Sequence, residues 1–206
     1  MEMTTALWSF ALVVGLLTLT PGLDTALILR TSALGRRRQA WGVVLGIQTG
    51  TLIWGTLTSA GVTALLTASQ VAYEVLRWAG AAYLVWMGVG MLRERGAQAE
   101  AEEESAEGGF VHGWRRGTLT NLLNPKVGVF YVAVLPQFIP SGAPHFAAGV
   151  ALTGVHVVEG VLWSTVLVGF ARVLRGWLRR PAARRVMDRV TGAVVVGFGL
   201  KLALAD

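Results

Sequence analysis

The 206-residue sequence contains no cysteine, only two lysines and only 15% charged residues. The missing cysteine excludes disulfides, thiolate metal sites and cysteine nucleophiles. A water-soluble domain carries about 25% charged residues, so this chain lacks the polar surface to wrap a globule of its size. It has no G-x-x-x-x-G-K-S/T loop, so it does not drive work by hydrolysing a nucleotide itself, and no H-E-x-x-H pattern marks an intramembrane protease. The opening stretch MEMTTALWSFALVVGLLTLTPGLD has neither a basic n-region nor a small-residue cleavage site, and it is expected to stay as a first helix.

What is present is apolar: 53% of residues, with mean hydropathy +0.56. A bilayer core roughly 30 Å thick is crossed by ~20 helical residues. Stretches nearly free of charge at 7–29, 40–66, 72–92, 117–139, 146–171 and 190–204 predict an all-α membrane protein with six transmembrane helices. Sixteen of the eighteen cations are arginine, and fifteen of the eighteen fall after the first, third and fifth spans. The positive-inside rule makes those loops cytoplasmic and places both the N- and C-terminus outside. The arginine excess therefore reads as loop topology and not as a nucleic-acid surface.

The acidic run ERGAQAEAEEESAEGG has no apolar periodicity and reads as a solvated cytoplasmic linker. It divides the chain into a first repeat at 1–95, a linker at 96–114 and a second repeat at 115–206. The segment RVLRGWLRRPAARRVMDR carries Trp177 and Leu178 among its arginines and suits a short amphipathic helix on anionic lipid headgroups.

The two halves share an order of parts. LTPGLD at 19–24 and LLNPK at 122–126 each interrupt an apolar run, and each is followed by a glycine-rich helix, GVVLGIQTGTLIWG and GVALTGVHVVEG. The prolines are 104 residues apart. Because each half has three spans, the halves enter the membrane in opposite directions, giving a 3+3 inverted repeat with helix breaks at Pro21, Gly22 and Pro125. Matched interruptions of this kind mark midplane substrate sites in transporters; proline also kinks membrane helices for structural reasons alone. Gly42, Gly46 and Gly50 form a stripe at every fourth position, read as close helix packing within the chain or in a homodimer.

Asp24, Lys126 and Glu159 are the ionisable residues well inside predicted spans, with His156 beside them. Each costs roughly 3 kcal/mol at the bilayer centre on insertion scales, so each needs a partner or a wet cavity. Two carboxylates and one ammonium suit a zwitterion such as an amino acid; equally, an Asp24 to Lys126 ion pair would brace the two breaks. Asn121 and Asn124 at the second break, with Gln48 in the glycine-rich helix that follows the first, complete the candidate substrate-binding set. Asp24 and Glu159 are the candidates for proton coupling, since a carboxylate without a partner can take up and release a proton as antiport requires. His156 and Glu159 lie on one helix face, but a single H-x-x-E pair gives two ligands, so no metal and no cofactor is expected.

TPGLD, the glycine stripe, AYLVWMGVGMLR and above all GTLTNLLNPKVGVFYVAVLPQFI resemble the LysE/RhtB amino-acid exporter family. The resemblance runs over nearly the whole chain. It implies a bacterial inner-membrane exporter that expels amino acids such as threonine, homoserine, lysine or leucine in exchange for protons. The family's proline-glycine element falls on Pro21, Gly22, Leu23 and Asp24, with Leu23 where a second proline is usual, and its NPK element on Asn124, Pro125 and Lys126. Glu159 and Trp163 in VVEGVLWSTV resemble the threonine and homoserine branch. Two other readings stand beside it: an exporter of inorganic cations or other cationic solutes, and a substrate-free helical scaffold.

Overall fold

The computed structural model describes residues 2–68, 70–93 and 108–171, with isolated positions from 173 to 200. The described residues form helices and turns with no strand. In chain order they are α1 (Met3–Leu19), α2 (Leu23–Ala33), α3 (Arg37–Ala68), α4 (Gln70–Arg93), α5 (Phe110–Leu122), α6 (Pro125–Val129) and α7 (His145–Gly169). Between α6 and α7 lie a π-helical turn, Phe130–Val134, and a 3-10 turn, Leu135–Phe138. The predicted sixth span at 190–204 and the arginine-rich segment at 172–189 fall largely outside the described residues.

Prolines set the interruptions by a common steric rule, since the residue before proline is pushed out of the helical region. Thr20, before Pro21, has φ −73° and ψ 120°, so α1 stops at Leu19. Asn124, before Pro125, has φ −76° and ψ 107°, and Ile139, before Pro140, has φ −77° and ψ 119°. α1 and α2 meet at a 54° bend. Pro125 opens α6 at its first turn, where its missing N–H costs nothing, and the Asn124 side chain accepts from the Lys126 amide at 3.1 Å as the cap. Gly35, at φ +77°, supplies the left-handed turn between α2 and α3.

Two helices, α3 over Arg37–Gly61 and α7 over His145–Gly169, are long and apolar enough to cross a membrane, and the bent pair α1 and α2 makes a third candidate. α4 covers the third predicted span. The fourth predicted span, 117–139, is not one rod: it is the end of α5, then α6 and the two irregular turns. α5 also starts earlier than expected, at Phe110, so the last residues assigned to the linker and both Arg115 and Arg116 are helical. Many large apolar side chains face outward, with Trp8 71% and Leu12 73% exposed, which suits lipid and not water.

The glycine stripe packs inside the chain. A Cβ at Gly46 would strike the Trp114 backbone carbonyl, and a Cβ at Gly117 would strike that of Val43, so α3 and α5 are in backbone contact. Thr118 Oγ1 donates to the Gly46 carbonyl at 3.1 Å across the same seam. Lower on α3, Gly55 receives Thr153 of α7, while Gly149 of α7 receives Ser59.

The apolar interior is divided into two clusters. The first joins Phe10, Val14 and Leu17 of α1 to Phe130, Tyr131, Leu135, Phe138 and Leu152. The second joins Leu27, Ile28 and Leu29 of α2 to Ala40, Val43, Val44, Ile47, Leu167 and Val168. Replacing Gly46 by Ala is expected to lower stability by about 1–3 kcal/mol, because the neighbour is backbone and cannot step aside. Gly154→Ala, which meets nothing within 4 Å, should stay within about 0.5 kcal/mol of the parent. Thermal unfolding of the two variants in detergent, followed by far-UV dichroism, gives the comparison.

Candidate functional site

α1 ends on carbonyls that have lost their helical donors. Pro21 has no N–H to give to the Leu17 carbonyl, and the bend at Gly22 removes the donor that would serve Thr20. In hydrocarbon an unpaired carbonyl costs several kcal/mol. The Lys126 ammonium, from the first turn of α6, donates to both, at 3.1 Å to Leu17 O and 3.2 Å to Thr20 O. Its positive charge also sits at the negative end of the α1 dipole.

The reverse connection runs the other way. Asp24 lies in the first turn of α2, where the helix dipole favours a negative charge. Its Oδ2 accepts from the Asn121 Nδ2 of α5 at 2.9 Å. Each break is therefore held by a side chain from the other: Lys126 caps the helix ended by Pro21, and Asn121, just before the second break, holds Asp24 just after the first.

These residues enclose a cavity of about 70 Å³. A water needs ~10–15 Å³ measured this way, so the space takes several waters or one small solute. Asp24, Gln48, Asn121, Asn124, Lys126 and Gly22 all line it, together with Thr18, Thr25, Thr51, His156, Trp163 and Ser164. The cavity lies between the two apolar clusters: along α7, Leu152 belongs to the first, His156, Gly160, Trp163 and Ser164 line the cavity, and Leu167 belongs to the second.

Polar atoms around this space are left without hydrogen-bond partners. Asp24 Oδ1, Gln48 Oε1 and Asn121 Oδ1 are three such acceptors, and Trp163 Nε1 and Thr18 Oγ1 are two such donors. Buried polar atoms are nearly always paired in folded proteins, so a cluster of unpaired ones around a cavity is a place for a polar guest.

Glu159 is not among the residues lining the cavity. One of its oxygens is buried and unpartnered, and it rises against Gly15 of α1, where an added Cβ would stand 3.3 Å from Oε2. His156 turns elsewhere: it borders the cavity, its Nδ1 is 2.9 Å from the Tyr131 hydroxyl, and its ring stacks on Tyr131 at 5.7 Å. The H-x-x-E pair thus serves two different surroundings. No group of three or more His, Cys, Asp or Glu able to hold a metal occurs among the described residues.

Sequence reasoning missed Thr51, Thr25, Ser164 and the Tyr131 to His156 pair. A signal existed in α7, where His156, Gly160 and Ser164 recur at four-residue spacing as a small polar face within an apolar helix. In α3, Gln48 and Thr51 are likewise one turn apart.

A family profile described as LysE type translocator matches residues 6–206. The chain is 32% identical over 203 residues to the homoserine/homoserine lactone efflux protein of Salmonella typhi, covering 96% of this chain and 97% of that one. It is 26% identical over 208 residues to an uncharacterized membrane protein of Bacillus subtilis, covering 97% and 99%. An uncharacterized membrane protein of Pseudomonas aeruginosa is 32% identical over 209 residues, covering 98% and 96%. No solved structure matches the chain.

The capping role of Lys126 has a thermodynamic signature. Lys126→Met should cost roughly 1–3 kcal/mol by stranding the carbonyls. In a Pro21→Ala background the new N–H at position 21 can serve Leu17, so the same substitution should cost less. A double-mutant cycle on unfolding in detergent should return a coupling of about 0.5–3 kcal/mol. Additivity within ~0.5 kcal/mol would remove the capping role.

Proposed function

We propose that this chain, which belongs to the LysE type translocator family, exports small neutral amino acids of the threonine and homoserine kind across the bacterial inner membrane in exchange for protons. The observation that carries the reading is the grouping of unpaired acceptors Asp24 Oδ1, Gln48 Oε1 and Asn121 Oδ1 around one cavity with Lys126 at its edge. An amino acid's ammonium has three N–H donors, and three acceptors meet them. Its carboxylate is matched by the Lys126 charge. Asn124, which caps α6, lines the same space. The printed function of the Salmonella relative, homoserine efflux, agrees with this chemistry.

Exchange follows from competition for one carboxylate. When Asp24 binds the solute ammonium it has no room for a proton, and when it carries a proton it no longer attracts an ammonium. A cycle in which solute leaves outward and a proton returns inward needs no other coupling element. Glu159, two helical turns from the Leu152 cluster and one position before cavity-lining Gly160, serves as a second proton station on the α1 side.

Alternating access is supported by the duplicated order of breaks, with α1 to α4 as one half and the segment from α5 onward as the other, inverted in the membrane and rocking about the cavity. Both chain ends then face the outside, and the arginine loops face the cytoplasm. The apolar outer faces contact lipid, and a homodimer is compatible with them.

The test is efflux of preloaded threonine and homoserine from proteoliposomes under an imposed pH gradient. Export should accelerate when the outside is acidic and return to the basal rate when the gradient is collapsed. Asp24→Asn should abolish the gradient-driven component by more than ~10-fold, a loss of at least about 1.4 kcal/mol. Indifference of the parent protein to the gradient would exclude proton exchange.

A further inference from the structure

The cavity is polarised. Its three unpaired acceptors come from α2, α3 and α5, whereas α7 contributes His156 and the unpartnered Trp163 Nε1. These two residues are seven apart, hence on one helix face two turns from each other. Between them Gly160 makes room for the Gln48 amide, which a Cβ there would meet at 2.8 Å.

The state of His156 is set from behind. Its Nδ1 shares a 2.9 Å hydrogen bond with the Tyr131 hydroxyl, and the rings are nearly parallel at 15°. Phe130 closes a third side, edge-on at 6.0 Å. Tyr131 itself is fully buried and sits in the π-helical turn, an irregularity that recurs at functional sites. When the Tyr131 O–H donates to Nδ1, the imidazole hydrogen is placed on Nε2, the nitrogen on the far edge of the ring.

The geometry points to a carboxylate subsite on α7, in which His156 Nε2–H and Trp163 Nε1–H donate to the solute carboxylate, with Tyr131 as the positioning residue that fixes the imidazole tautomer. It rests on the export reading above and deepens it, because it assigns which wall meets which end of the zwitterion. The ammonium faces α2, α3 and α5; the carboxylate faces α7 and Lys126. A solute with an uncharged group in place of the carboxylate loses the charge-assisted half of these bonds.

The experiment is competition of labelled threonine exchange in proteoliposomes by unlabelled L-threonine and by L-threoninamide, which keeps the ammonium and hydroxyl and lacks the carboxylate charge. In the parent protein threonine should compete far better than threoninamide. His156→Phe, which keeps a ring against Tyr131, should shrink that preference roughly 10-fold, because hydrogen bonds to a charged group are the strong ones. Trp163→Phe should shrink it in the same direction. Tyr131→Phe keeps the ring and loses only the hydroxyl; it should shrink the preference about 2-fold to 10-fold. It should also move the His156 imidazole 15N signals from one tautomer to a mixture.

An unchanged preference in these variants, with both competitors weakened together, assigns His156 and Tyr131 to packing and overturns the subsite. A parent protein that does not distinguish the two competitors overturns it as well. Absence of any threonine or homoserine exchange by the parent overturns the export reading and this assignment with it. Should His156→Phe fail to fold, the Tyr131→Phe preference and its 15N spectrum decide the matter.

Discussion

Carbonyl groups inside a membrane must be paired, and at the end of α1 the chain has removed their natural partners. Pro21 withholds one N–H and the bend at Gly22 takes away another. The answer comes from a distant part of the sequence, the Lys126 ammonium at 3.1 and 3.2 Å. That single constraint draws the start of α6 against the end of α1 and fixes where the second break must lie. Asn121 completes the exchange by holding Asp24. The cavity is what is left where two broken helices brace each other and cannot close.

This also explains why so many unsatisfied atoms gather in one place. Side chains recruited to repair broken backbone have only part of their hydrogen-bonding capacity in use. Asn121 gives its amide nitrogen to Asp24, and its oxygen is left over; Asp24 uses one oxygen and keeps the other. A site with both signs of charge and spare donors and acceptors follows from the architecture of the breaks. The glycine seam between α3 and α5 contributes by bringing Gln48 and Asn121 to the same wall without intervening bulk, a Cβ at Gly50 standing 2.6 Å from the Asn121 oxygen.

Much of this was legible in the sequence, and the parts that were not share a cause. Helix identity followed from apolar runs, while Thr20, Asn124 and Ile139, each before a proline, leave the helical region by a local rule. Asp24, Lys126, Asn121, Asn124 and Gln48 stood out as polar residues in apolar company, and one cavity gathers them. Glu159 satisfied the same criterion yet faces Gly15, since helical spacing gives a face but not the neighbour across from it. The fourth span was expected to run from 117 to 139; its π and 3-10 turns depend on how Tyr131 meets His156 and Phe130 meets Phe10, contacts between residues far apart in the chain. Thr51 and Ser164 stand one turn from Gln48 and Gly160 on polar faces, but helical spacing alone does not distinguish a cavity wall from a helix seam.

The two apolar clusters stand on either side of the polar chamber, one built on Phe10, Tyr131 and Leu135, the other on Ile28, Val43 and Leu167. A bare ion passing through either would have to shed its hydration among aliphatic and aromatic side chains, at an idealised Born cost on the order of 20 kcal/mol. These layers act as electrical insulation. They confine charge to the polar space between them.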